Sequence, residues 1–411
     1  MSGSSQKTVS ANNGIKHYDA IVVGAGVVGA TLALSLAQQK NWNVALVEKQ
    51  TALTGDSQPN LRATALGLSS QDLLSDLGIW QKLTESHQCA YQKMFVWDEN
   101  SDSELSFNAQ EYGEESLGWI VDHAVLQKTL QDDMARIKNE SNQSLNCFYA
   151  AHIESFQQET SGVSLRLSNE SGSFEMSAQW LFAADGVDSQ LRAMAGIPTS
   201  QHYYQQQGIV AKIQTEQSHQ YTAWQRYLDT GSIALLPLSD GECSIVWSAG
   251  NSFAEKLLSL SKQDFERHLQ NALQSRFGQV ELCSKRVAFP LRSVRTERYV
   301  QNSLVLVGDA AHGIHPMAGQ GANLGFNDIA SLLEEIANMA ASDSKMPRAL
   351  RCYERQQKLQ NYTMDSFLTG LDAMFRTNSP ILHTLRKIGL KVVDEQGFIK
   401  SLFAQQVLGK R

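Results

Sequence analysis

The stretch HYDAIVVGAGVVGATLALSLAQQ, residues 17–39, constrains this chain more than any other. Its continuous apolar run from Ala20 to Val23 reads as a strand buried on both faces. Gly24, Gly26 and Gly29 follow in GxGxxG spacing, and a helix-like run begins at Val27. Each glycine has its own reason: Gly24 for a tight turn, Gly26 so that a pyrophosphate can approach the backbone, Gly29 for close packing of helix on strand. The helix N-terminus then presents partial positive charge to the phosphates. The next strand, NVALVEK, ends in Glu48, 24 residues after Gly24, where an acid can bind a ribose diol. A glycine-tolerant packing turn is the alternative, but strand, glycines, helix, strand and acid in this order specify a dinucleotide site. The same order assigns the apolar run Ala20–Ala37 to a nucleotide fold, although its length alone would raise the question of a membrane span.

A chain of 411 residues exceeds what one simple core fills, so two domains are expected. A net charge of −7 excludes the basic face of a nucleic-acid protein. Cys89, Cys147, Cys243, Cys283 and Cys352 are scattered with no CxxC pair, which fits a reducing compartment and offers no metal site. The polar N-terminus lacks the apolar core of a signal peptide and is expected to be a disordered tail, giving a cytoplasmic location.

Two further segments end apolar runs with an Asp beside a Gly. WLFAADGVDSQLRAMAG carries Asp185-Gly186, then Ser189 and Arg192; SLVLVGDAAHGIHP carries Gly308-Asp309. Taken singly, either Asp is a turn residue or a helix cap. The second segment opens a stretch, Val305–Asp328, with five glycines at 308, 313, 319, 321 and 325. His312 and His315 have helical spacing there, but they sit in a glycine-rich loop without a third ligand, so no metal is expected. GQGANLG nearly repeats GxGxxG, yet its last glycine comes late and no strand leads into it, so no second nucleotide fold is expected.

With the N-terminal fingerprint, these two segments resemble the signature motifs of the single-component FAD monooxygenases of the para-hydroxybenzoate hydroxylase type. GDAAHGIHPMAGQGANLGFNDIASL, WQRYLDTGSIALLPL, WIVDHAVLQKTL and YERQQKLQNYTMDSFLTGLDAMF are most similar to the ubiquinone-biosynthesis hydroxylases within that family. The resemblance implies an α/β fold: a Rossmann-like FAD-binding domain of glutathione-reductase type, an inserted antiparallel β-sheet substrate domain and C-terminal helices. It divides the chain into a tail at 1–17, a discontinuous FAD-binding domain at 18–87, 119–198 and 293–370, a substrate domain at 88–118 and 199–292, and a helical segment at 371–411.

FAD is the implied cofactor, with NAD(P)H as a co-substrate that visits the flavin without a Rossmann domain of its own. Carried over to this chain, Asp309 in the Gly308-Asp309 turn would hold a ribityl hydroxyl, and Pro316 would lie near the reactive ring edge. Gly319 and Gly321 would let the main chain lie against the ring, where a Cβ would collide. A helix beginning near Ala322 and Asn323 would aim its amides at the flavin N1 and O2, where reduced flavin carries negative charge. Arg62 matches the family arginine near phosphates and ring. Gln127 and His123 fall where the family contacts FAD from a helix, and Asp185 and Arg192 map to the shared region of cofactor and reductant.

Residues 208–292 hold short runs rich in β-formers, expected to form a sheet covering the flavin, with a helix near 263–277. Trp224, Arg226, Tyr227, Leu236 and Trp247 are the candidates to line the substrate pocket. The implied reaction is hydroxylation of a polyprenylated phenol by a flavin C4a-hydroperoxide formed from NAD(P)H and O2; no acid-base residue is assigned. A hydroxylase of a small soluble aromatic acid and a non-catalytic flavoprotein subunit of a biosynthetic complex are the alternatives. After Pro380 the chain is basic and amphipathic, suited to anionic lipid at the inner membrane, to a partner protein, or to packing on the FAD domain.

Overall fold

In the computed structural model, residues 15–53, 61–99, 104–139, 145–159, 162–313 and 321–376 are described. The strands Lys16–Val23, Val44–Val47, Gly172–Ala183, Leu304–Leu306 and Leu145–Phe148 pair in parallel, and their apolar runs are buried because helices cover the sheet. Helix α1 (Val27–Gln39) is buried along most of its length, which accounts for its lack of a polar stripe. An antiparallel meander, His152–Glu159, Gly162–Asn169 and Gly172–Ala183, extends this eight-stranded sheet.

A three-stranded sheet joins Ala63–Leu66, Gly118–Asp122 and Gln88–Tyr91. Helix α2 (Leu68–Asp76) and helix α3 (His123–Asn139) lead from its strands. The short helix α4 (Gln190–Met194) follows the long strand Gly172–Ala183.

The second large sheet has nine strands, built on Thr199–Thr215, Thr222–Leu228, Gly231–Pro237, Cys243–Gly250 and Val287–Thr296. Lys93–Asp98 and Glu104–Asn108 join it from the earlier part of the chain, the former in parallel with Thr222–Leu228. Helix α5 (Asn251–Ser259) and helix α6 (Lys262–Ala272) cover one face of this sheet, Phe265 and Leu269 of α6 sharing one buried cluster with Trp247 of the sheet. Its opposite face lines a cavity shared with the strand Ala63–Leu66. Helix α7 (Gly321–Glu335) and helix α8 (Met346–Arg376) pack on each other to complete the first core.

The α/β architecture with an inserted, largely antiparallel sheet is the one expected. Gln88–Tyr91, expected in the substrate domain, pairs instead with Gly118–Asp122. The basic segment after Pro380 lies outside the described residues. Among those described, no helix is long and apolar enough to cross a membrane.

Candidate active site

The glycines of the first turn divide by what surrounds them. Gly24 has φ +104°, and a Cβ there would sit 2.3 Å from the Ala184 carbonyl oxygen. A Cβ on Gly29 would sit 1.9 Å from the Gly24 oxygen. These two positions are closed by backbone. Gly26 meets nothing within 4 Å, so the space in front of it, at the start of α1, is open for a ligand. Glu48 Oε2 accepts the Ala25 amide at 2.6 Å, and Oε1 accepts that of Gln50 at 2.9 Å. Gln127 Nε2 donates to the Ala25 carbonyl at 3.1 Å. Glu48 and Gln127 thus hold one residue of the turn, Ala25, by its amide and by its carbonyl, and the carboxylate keeps lone pairs for a ribose diol.

The Gly308-Asp309 turn is fixed from behind. Gly308 has φ +62°, and its amide donates to Asp328 Oδ2 at 2.7 Å. The buried Arg192 donates to the carbonyls of Ala310, at 2.8 Å, and Val187, at 2.7 Å. Thr296 Oγ1 donates to the Ala311 carbonyl at 2.6 Å. With the backbone so occupied, the Asp309 side chain faces the cavity, reachable by solvent there yet surrounded by protein atoms. Desolvation at the cavity floor pushes its carboxyl above the usual range, against the charges of His312 and Arg62. A Cβ on Gly321 would lie 3.8 Å from Asp309 Oδ1, so the start of α7 and this acid share one space.

Other nominated residues support rather than line it. Asp185 Oδ2 accepts the amides of Gln190, at 2.8 Å, and Leu191, at 3.3 Å, and so caps α4. Asn323 accepts from the Gly67 amide at 3.0 Å and Ser70 Oγ at 2.8 Å, and donates to the Ala65 carbonyl at 2.9 Å. Its side chain therefore tethers α7 to the strand Ala63–Leu66 and α2. Pro316, Gly319 and His315 lie outside the described residues. His312 bonds Asp328, and no metal-binding cluster occurs among the described residues.

Against the inward face of the nine-stranded sheet lies a cavity of about 500 Å³. Arg62, Thr64, Asp309, Gly321 and Ala322 border it on one side. Thr64 Oγ1 meets His123 Nδ1 at 2.8 Å; burial, then the Arg62 charge, lowers the His123 imidazole to about 4. The nine-stranded sheet forms the other wall, contributing Gln225, Ser232, Ala234, Leu236, Ser244 and Val246.

Strand alternation divides the five nominated wall residues. Leu236 lines the cavity. Tyr227 shares the inward face but is buried beside Leu324 and Met364. Trp224, Arg226 and Trp247 point the opposite way, a correction to the expectation that they line the pocket. Trp224 packs on Phe95 and Phe277, Arg226 donates to the Ala272 carbonyl at the end of α6, and Trp247 is sealed against Phe265. The residue between the first two, Gln225, is the one that faces the cavity.

The open space at Gly26, the cavity-facing Asp309 and the acceptor Glu48 fit a bound FAD, and with the sheet-roofed cavity they define a flavoprotein of the monooxygenase class. A family profile described as FAD binding domain matches residues 17–361. A 3-demethoxyubiquinol 3-hydroxylase of Escherichia coli (strain K12) is 31% identical over 94% of this chain and 97% of its own. A ubiquinone hydroxylase of Rhodospirillum rubrum is 30% identical over 96% of this chain and 90% of its own. The chain belongs to the FAD-dependent ubiquinone-biosynthesis hydroxylase family. The crystal structure of p-nitrophenol 4-monooxygenase from Pseudomonas putida DLL-E4 shares the fold, with TM-score 0.77, 17% identity, and coverage of 97% of this chain and 100% of that one.

Proposed function

We propose that this protein hydroxylates the ring of a polyprenylated phenol, using NAD(P)H and O2. The observation that carries the reading is the unlike pair of cavity walls. One is a turn-and-helix wall holding Asp309 and Gly321; the other is a sheet whose inward side chains include Ser232, Ala234, Ser244 and Val246. Bound FAD supplies the oxygen activation. Gly26, Glu48 and Asp309 would hold it by its pyrophosphate, ribose and ribityl chain, and the α7 N-terminus would favour negative charge on the ring. The sheet orients the phenol and keeps water from the reacting edge.

On the sheet wall, Arg226 faces away and Arg292, at the cavity edge, is paired with Asp188 at 2.5 Å, which favours a substrate without a carboxylate there. The test is NAD(P)H oxidation and product analysis with a prenylated phenol beside a hydroxybenzoate. Coupled hydroxylation of the prenylated phenol is expected; turnover of the acid alone would overturn the reading. A bilayer-resident substrate implies peripheral attachment to the inner membrane, which flotation with anionic vesicles would check.

A further inference from the structure

The strand register orders the cavity wall into rows. Directly paired residues share a face, and the pairs Val287–Val210, Val210–Val246, Val246–Ala234 and Ala234–Gln225 make one continuous row across five strands. Four of its members are aliphatic; the fifth, Gln225, is the innermost that lines the cavity. At about 4.8 Å per strand the row spans roughly 19 Å. The neighbouring rows differ. One runs Phe289, Gly208, Ser248, Ser232, and the other places Ser244 beside Leu236. The buried Ser244 Oγ has no hydrogen-bond partner, so an apolar lane is flanked by hydroxyls.

The lane leads out of the cavity. Val210, Val246, Ala234 and Gln225 line it, as does Phe289 at its mouth, 37% exposed, whereas Val287, outside it, is 51% exposed. A Cβ on Gly208 would be 2.9 Å from Phe289 Cζ. The missing side chain lets the Phe289 ring lie over the strand as a wall beside the row. Solvent-exposed Val and Phe at the end of an aliphatic row suit a ligand that is apolar beyond its head.

We propose that the isoprenoid tail of the substrate runs from the ring site along Ala234, Val246 and Val210 and leaves the protein past Val287 and Phe289. The proposal rests on the reading of the substrate as a prenylated phenol and adds the direction and side chains of the tail site. Gln225 and the flanking serines face the oxygen-bearing head, and the lane takes the hydrocarbon.

The test is equilibrium binding to the FAD-loaded protein of phenols bearing no, one, two and three prenyl units, in wild type, Ala234→Phe and Val287→Asp. Wild type should tighten with each unit. Ala234→Phe should abolish that gain from the first unit, and Val287→Asp should remove at least tenfold of it for the longest tail. Val287→Ile should retain the gain. Flavin content and thermal midpoint report whether each variant is folded, and Val287, being exposed, tolerates the charge. A wild-type gain that persists in both blocking variants overturns the lane. No gain in wild type overturns the prenylated-substrate reading itself.

Discussion

The carboxylate of Asp328 accepts from His312 Nε2 and from the Gly308 amide through the same oxygen, Oδ2, each at 2.7 Å. Both side chains are buried, and together they bind α7 to the turn that presents Asp309. Removing one partner of a buried ion pair leaves the other uncompensated, at a cost of about 3–5 kcal/mol. Asp328→Ala should therefore lower unfolding stability by about that amount and loosen FAD, because the Gly308 turn loses its anchor. Denaturant unfolding and flavin retention through gel filtration measure the two effects. Wild-type values for both would assign Asp328 no positioning role.

Two histidines give stability opposite dependences on pH. Burial alone would lower the His312 imidazole, but Asp328, by charge and hydrogen bond, and Asp309 hold it above its ordinary value. A raised folded value stabilises below the unfolded value of about 6.5, and that contribution is lost as pH rises through the folded value. His123 is lowered to about 4 by burial and Arg62. The unfolded chain then takes up the proton first, and stability falls as pH drops from about 6.5 toward 4. His312→Asn should flatten the alkaline side of a plot of midpoint against pH, and His123→Gln the acid side. Unchanged slopes would show that these groups do not control the profile.

The glycine turn separates folding from binding. Gly29→Ala places a methyl 1.9 Å from the Gly24 oxygen, where only backbone can move, so the variant should lose several kcal/mol or fail to accumulate as folded protein. Gly26→Val places its Cβ where no protein atom lies within 4 Å. It should fold with a nearly normal midpoint yet retain at least tenfold less FAD. Normal FAD content in Gly26→Val would remove the pyrophosphate from this turn.

The FAD end was legible in the sequence because its requirements are local: Gly24 and Gly29 answer to backbone within one turn, and Glu48 to the end of the next strand. Residues acting across the fold were not. Asp328 is one of several polar residues on α7, beside Asn327 and near Ser331, and nothing in its neighbourhood announces His312 or Gly308 as partners. Motif membership also cannot tell a ligand contact from a brace. Arg192 and Asn323 stand in the expected segments, but their side chains bond to carbonyls, an amide and a hydroxyl of the protein. On the sheet, aromatic identity drew the choice to Trp224 and Trp247. Period-two alternation shows that Trp224 and Arg226 cannot share a face with Gln225, but which face meets the cavity depends on register between distant strands.

Gln225 and Arg226 therefore make a paired test, adjacent in sequence and opposed in space. Gln225 lines the cavity, whereas Arg226 is buried on the far face, its guanidinium donating to the carbonyl of Ala272 at the C-terminus of α6. A cation there complements the helix dipole and satisfies a terminal carbonyl. Arg226→Met keeps the length of the side chain but loses the charged hydrogen bond, worth about 1.5–3 kcal/mol. It should lower the midpoint of unfolding while leaving KM for the phenol within twofold of wild type. Gln225→Leu should do the reverse, holding the midpoint while raising KM or diverting reduced flavin to hydrogen peroxide as the ring loses a polar contact. Steady-state kinetics with peroxide measured alongside NAD(P)H consumption, and thermal unfolding of both variants, read the four values. If Arg226→Met raises KM and Gln225→Leu does not, the inward face of the strand has been misassigned.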